Sequence, residues 1–95
     1  MNDKLVIHSE KINVVNNRDG LVGIASCLIN DSLYLGSIGI YNWPDGSYRL
    51  TYPTKKIGDQ SVNLYHPINR EAGDLFEEIL INKYLEITKG GQNVA

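Results

Sequence analysis

Residues 64–89 constrain the rest of this 95-residue chain more than any other stretch. They open Leu64-Tyr65-His66-Pro67-Ile68-Asn69 and then take up a helical rhythm. Pro67 disfavours helical geometry at His66, so no helix begins before it. Asn69 is a good N-cap because its side-chain oxygen can accept a backbone N–H two or three residues on. Glu71 and Asp74 follow where the helix dipole favours negative charge. Ala72, Leu75, Phe76, Ile79, Leu80, Tyr84, Leu85 and Ile87 recur mostly at spacings of three and four, which predicts an apolar stripe with a charged back. Gly90-Gly91 is the expected stop. A helix of this kind needs one apolar surface to lie on.

The preceding residues read as strands that supply that surface. Residues 5–15 are extended, but Leu5 and Ile7 are odd-numbered and Ile12 and Val14 even-numbered. This change of phase predicts a bulge or break near residues 9–11. A turn is expected over residues 16–20, where Asn, Asp and Gly tolerate left-handed backbone. Residues 21–29 form a strand that is apolar on both faces, with Ala25, Cys27 and Ile29 on one and Val22, Ile24 and Leu28 on the other. After the turn at Asn30-Asp31-Ser32, residues 33–43 change phase between Leu33/Leu35 and Ile38/Ile40, with Gly36 at the switch. Pro44-Asp45-Gly46 is a turn signal. Residues 47–53 alternate Tyr48, Leu50 and Tyr52 against Arg49 and Thr51, and Pro53 ends the ladder. Residues 54–61 read as a polar loop, and residues 62–65 as a short fifth strand. The pattern predicts one α+β domain: a meandering antiparallel sheet of four to five strands with one C-terminal helix on a face. Its core spans residues 5–89, with loose termini.

Composition narrows the function. The net charge of −2 argues against a strongly basic, salt-driven nucleic-acid binder, although local patches remain open. Residues 70–89 carry that whole excess, so the remainder is balanced. The single Cys27 has no internal disulfide partner and sits in an apolar run, as a small buried hydrophobe in a reducing compartment would. No apolar run could span a bilayer, and the first residues lack the pattern of a signal peptide. The expected location is cytoplasmic.

Little in the chain points to catalysis or to a cofactor. His66 has no second His or Cys near it in sequence, so a metal or general-base role lacks its partners; a hydrogen bond tying the loop to the sheet is the plainer expectation. Cys27 lacks the electropositive, accessible setting of a reactive thiolate. Asp45 reads as a turn residue. The best binding candidates are Lys55 and Lys56, adjacent on a Gly-containing stretch and able to reach phosphates, with Arg49 on the outward face of its strand and Arg70 at the helix start. The plain alternative is a solvated loop. Tyr34, Tyr41, Trp43, Tyr48 and Tyr52 could stack on bases, although aromatic residues in strands more often serve a core or an interface.

Three elements in order suggest a family: Ile24-Ala25-Ser26, then Pro53-Thr54-Lys55-Lys56, then His66-Pro67-Ile68-Asn69 entering a terminal helix. Together they resemble the stage V sporulation protein G (SpoVG) family of septation regulators, over roughly residues 10–88. The His-Pro-Ile-Asn tetrapeptide is the most specific part. The resemblance implies a small cytoplasmic homodimer that binds DNA or RNA and affects gene expression, sporulation or septum formation. The chain departs from the family at Gly36 and Gly39, where a histidine and an arginine are usual, and in its more acidic helix. Both changes remove phosphate partners, so modest affinity is expected, and a protein-interaction module that keeps the fold is the alternative function.

Independently of the resemblance, one helix can cover only one face of the sheet. Val22, Ile24 and Leu28, joined by Ile38 and Ile40, are therefore the expected interface with a second copy.

Overall fold

The computed structural model of the protein describes residues 5–93. Of the loose ends expected at residues 1–4 and 92–95, Gln92 and Asn93 instead extend the helix, and the rest lie outside the described residues. Four strands pair in sequence order as an antiparallel meander: β1 (Ile7–Arg18), β2 (Leu21–Ile29), β3 (Leu33–Asn42) and β4 (Tyr48–Thr51). Two further strands, β5 (Thr54–Ile57) and β6 (Gln60–Asn63), form a separate two-stranded ribbon. The helix α1 (Arg70–Asn93) follows. It runs through Gly90-Gly91, where the sequence suggested a stop. A helical glycine costs only about 1 kcal/mol relative to alanine, and no proline follows to enforce an end.

Both expected irregularities are bulges. In β1, Ile7 pairs with Ile29 and Ile12 with Ala25, and one extra β1 residue is accommodated between His8 and Lys11. Ser9 takes φ 56° there. In β3, Leu35 pairs with Cys27 and Ile38 with Ala25, so Gly36 and Ser37 together oppose Ser26. The left-handed residue is Ser37, at φ 62°, and not Gly36. A third irregularity sets Leu21 opposite Tyr41 but Gly23 opposite Ile40, leaving Val22 as the extra residue.

These bulges decide which face each side chain occupies. An extra residue reverses the alternation, so Leu35, Ile38 and Ile40 all face the core despite their change of parity. Ile38 and Ile40 are fully buried and Val22 nearly so, in one core with Ala25, Cys27, Ile29, Phe76, Leu80 and Tyr84. The expectation that Val22, Ile38 and Ile40 lie on an outer interface is therefore corrected. Ile24 and Leu28 do remain on the outer face, in register with Gly39 and Tyr34 respectively.

The helix contributes Phe76, Leu80 and Tyr84, spaced by four, as its buried seam. Leu75, Ile79 and Leu85 pack half-buried beside it, whereas Ile87 is largely exposed. The helix lies closest to β1 and β4, the two edge strands, and so bridges the sheet from side to side. Aromatic contacts extend the seam: Tyr84 meets Tyr48 at 5.7 Å between ring centroids, and Phe76 meets Tyr52 edge-on at 6.1 Å.

Residues 54–61 are not a loop. Gly58, at φ 62°, and Asp59 make a two-residue turn between β5 and β6. All eight strand residues of the ribbon are exposed, so neither face carries the apolar alternation that marks a strand in sequence. The expected fifth strand consequently pairs only with β5. Similarly, β1 continues to Arg18, and its turn shrinks to Asp19-Gly20.

Phe76→Ala and Leu80→Ala should each lower stability by roughly 2–5 kcal/mol, through lost burial and the cavity left behind. Ile87→Ala, at a position 41% exposed, should change it by less than about 0.5 kcal/mol. Chemical denaturation midpoints of the three variants measure the contrast.

Candidate nucleic-acid interface

The ribbon is held at its base. The Leu64 N–H donates to the Pro53 carbonyl at 2.8 Å, closing the two chains beyond β5 and β6. Tyr65 follows immediately. Its ring meets Tyr52 edge-on at 6.1 Å, and its hydroxyl donates to the Gly36 carbonyl in the β3 bulge. Burial pushes the Tyr65 hydroxyl up to about 12, and burial, with Glu77 nearby, does the same for Tyr52. An isolated two-stranded hairpin is marginal in water, so this anchorage gives the exposed ribbon a fixed root.

Tyr65 takes the role expected of His66. The His66 ring is exposed, and its Nδ1 donates to the carbonyl of the adjacent Pro67 at 2.9 Å. It ties the segment to itself and not to the sheet. The phenol of Tyr65 was legible only as one more tyrosine in the sequence, because its acceptor is a backbone carbonyl exposed by a bulge.

Lys55 and Lys56 lie on β5, paired with Val62 and Ser61, and both are exposed. Adjacent strand residues point to opposite faces, so the two lysines flank the ribbon on either side. Lys55 shares its face with Ile57 and Val62, and Lys56 shares the other with Thr54 and Ser61. Among the described residues neither lysine forms an ion pair. Arg49 stands elsewhere, on β4 opposite Tyr41, with its nearest carboxylate Glu77 at 3.9 Å. Arg70 is exposed at the first helical position. The four candidate cations thus occupy three separate elements.

The outer face of the main sheet is not covered by the helix. It carries Leu21, Ile24, Leu28, Tyr34 and Tyr41 among His8, Lys11, Asn13 and Ser26. Of the five candidate stacking residues, Tyr34 and Trp43 are exposed and Tyr41 is half-buried, whereas Tyr48 and Tyr52 are engaged with the helix. Gly39 lies on this outer face. A Cβ there would come within 2.7 Å of the Thr51 hydroxyl and 3.1 Å of the Tyr41 ring, so the face is built around a missing side chain. At Gly36 the obstacle is only the exposed Tyr34 ring.

Two other candidates behave as structural residues. Cys27 is 1% exposed, and burial, with the Glu10 carboxylate, raises its thiol above the ordinary value. Asp45 accepts from the Ser47 N–H at 2.9 Å and the Ser47 hydroxyl at 2.7 Å, which lowers its carboxyl and fixes the β3–β4 turn. Among the described residues no group of three His, Cys, Asp or Glu could hold a metal ion, and no helix is long and apolar enough to cross a membrane.

No family model matches the chain. The chain is similar to a protein of Finegoldia magna named "Putative septation protein SpoVG", with 31% identity over 77 residues, covering 80% of this chain and 70% of that protein.

The His66-Pro67-Ile68-Asn69 segment places the helix start. The Asn69 Oδ1 accepts the Ala72 N–H at 2.8 Å, and its carbonyl accepts the Gly73 N–H at 3.1 Å. Asn69→Ala should therefore destabilise the protein by about 0.5–2 kcal/mol, while Asn69→Asp, an equally good cap, should stay near wild type. Thermal denaturation of the two variants measures the difference.

Proposed function

This chain belongs to the SpoVG septation-protein family, and we propose that it acts as a homodimeric regulator that binds DNA or RNA with modest affinity. On this reading it is a binding protein and not an enzyme, working in the cytoplasm on gene expression, sporulation or septation. The observation that carries the proposal is the β5–β6 ribbon, an exposed arm on a fixed root with Lys55 and Lys56 on its two sides. A two-stranded ribbon is narrow enough to enter a groove, and lysines on both faces can meet phosphates on either wall. The acidic helix opposes such binding, because Glu71, Asp74, Glu78 and Glu86 are all exposed. Affinity then rests on few phosphate contacts and falls steeply with salt.

A gel-shift series across salt concentrations tests this. Lys55→Ala/Lys56→Ala should weaken binding and reduce the slope of log affinity against log salt by about 1.4 on a single strand and about 1.8 on a duplex, the values for two lost phosphate contacts. An unchanged slope would place the contact on Arg49, Arg70 or another surface.

The dimer part of the proposal rests on the uncovered outer face. Ile24 is 39% and Tyr34 69% exposed there. A second copy related by a two-fold axis would bury this surface. Ile24→Asp should shift the mass in sedimentation equilibrium from dimer toward monomer without loss of helical circular dichroism. A wild-type chain that is monomeric at tens of micromolar would overturn the dimer.

A further inference from the structure

The β3–β4 hairpin carries a surface apart from the ribbon, at the rim of the outer face, with which it shares Tyr41. An open cleft of about 790 Å³ is lined there by Tyr41, Trp43, Asp45 and Arg49, by Asp19 from the β1–β2 turn, and by Glu77 from the helix. The Asn42 N–H donates to the Gly20 carbonyl at 2.8 Å, which brings the β1–β2 turn and its Asp19 up against the end of β3. Trp43, the protein's single tryptophan, is 53% exposed. An indole left half in water beside a cleft offers its face to a ligand.

The sign of the ligand follows from the charges. Three carboxylates line the cleft against one guanidinium. Asp45 is kept ionised by its two hydrogen bonds from Ser47. The Arg49–Glu77 pair is long, at 3.9 Å, and partly exposed, so it neutralises little. A phosphate would meet net repulsion. A guanidinium or ammonium would meet the carboxylates and could stack on the indole as a cation–π contact. The cleft also adjoins a strand edge that is unpaired among the described residues, where β4 pairs with β3 alone. An extended chain can add to such an edge by main-chain hydrogen bonds while its side chains fill neighbouring pockets.

We propose that this cleft binds an extended basic segment of a partner protein, laid along β4 with a lysine or arginine side chain over Trp43. The site is distinct from the nucleic-acid arm and does not depend on it.

Trp43 emission reads the test directly. The intact protein is titrated with an arginine-rich octapeptide, a glutamate-rich octapeptide and a single-stranded oligonucleotide. The arginine peptide should change the emission saturably, and the other two should not. Asp19→Asn/Glu77→Gln should weaken the arginine peptide about ten-fold, the scale of two partly exposed charges. Asparagine tolerates the left-handed backbone of Asp19, φ 56°. Glu78→Gln/Glu86→Gln removes the same charge from helix positions outside the cleft, and should weaken binding less than about two-fold. Three results would overturn the proposal: no saturable response to the arginine peptide in the wild-type protein, equal weakening by the two double variants, or a response to the oligonucleotide alone.

Discussion

Every strand of the main sheet must turn its core residues toward the same side, because the one helix among the described residues covers one face. Phe76, Leu80 and Tyr84 form the seam on the helix. The sheet answers with Ile7, Ala25, Cys27, Ile29, Ile38 and Ile40. A regular strand alternates with period two and would throw half of these residues outward. The bulges at Ser9 and Ser37 prevent it, each inserting one residue that resets the phase. Left-handed backbone at a serine costs about 1–2 kcal/mol, which the burial of whole isoleucine side chains outweighs at ~1.5–3 kcal/mol each.

The same bulge in β3 also roots the ribbon. A bulge leaves backbone groups outside the ladder, and the Gly36 carbonyl in this one accepts the hydroxyl of Tyr65. Tyr65 in turn packs on Tyr52, and Tyr52 on Phe76 of the helix seam. One chain of contacts therefore runs from the core to the base of an arm whose own residues are all exposed. Stability and presentation are separated: the core holds the root, and the strands of the arm are free to carry lysines and exposed aliphatic groups.

Charge is partitioned in the same way. The basic pair sits on the ribbon, while the helix back and the β3–β4 cleft are acidic. A chain of net charge −2 can thus present a cationic arm and an anionic cleft. Gly39 contributes by omission. The crowding of Thr51 and Tyr41 around it leaves no room for a long cationic side chain without local rearrangement.

The helix, its Asn69 cap, the meander and the sites of both phase changes were legible in the sequence, because each rests on local chemistry: a proline that forbids helix, a capping oxygen, alternation broken at a countable position. The direction of the faces was not. A parity change reads identically whether the strand flips its apolar residues outward or a bulge restores them, and only the register against β2 shows that Ile38 and Ile40 face inward. The ribbon was hidden for a related reason. With both faces in water, residues 54–63 carry no apolar period, and their pairing depends on the turn at Gly58 and the root at Pro53 and Leu64. The paired lysines were visible as charges, but their placement on opposite sides of one arm follows from strand geometry. So does the cleft, which gathers Asp19, Trp43 and Glu77 from distant parts of the chain. Local rules determined the helix, its start and the four-stranded meander. Long-range register decided which side chains are buried, which are offered, and which charges meet, because pairing energy is set between strands and not along them.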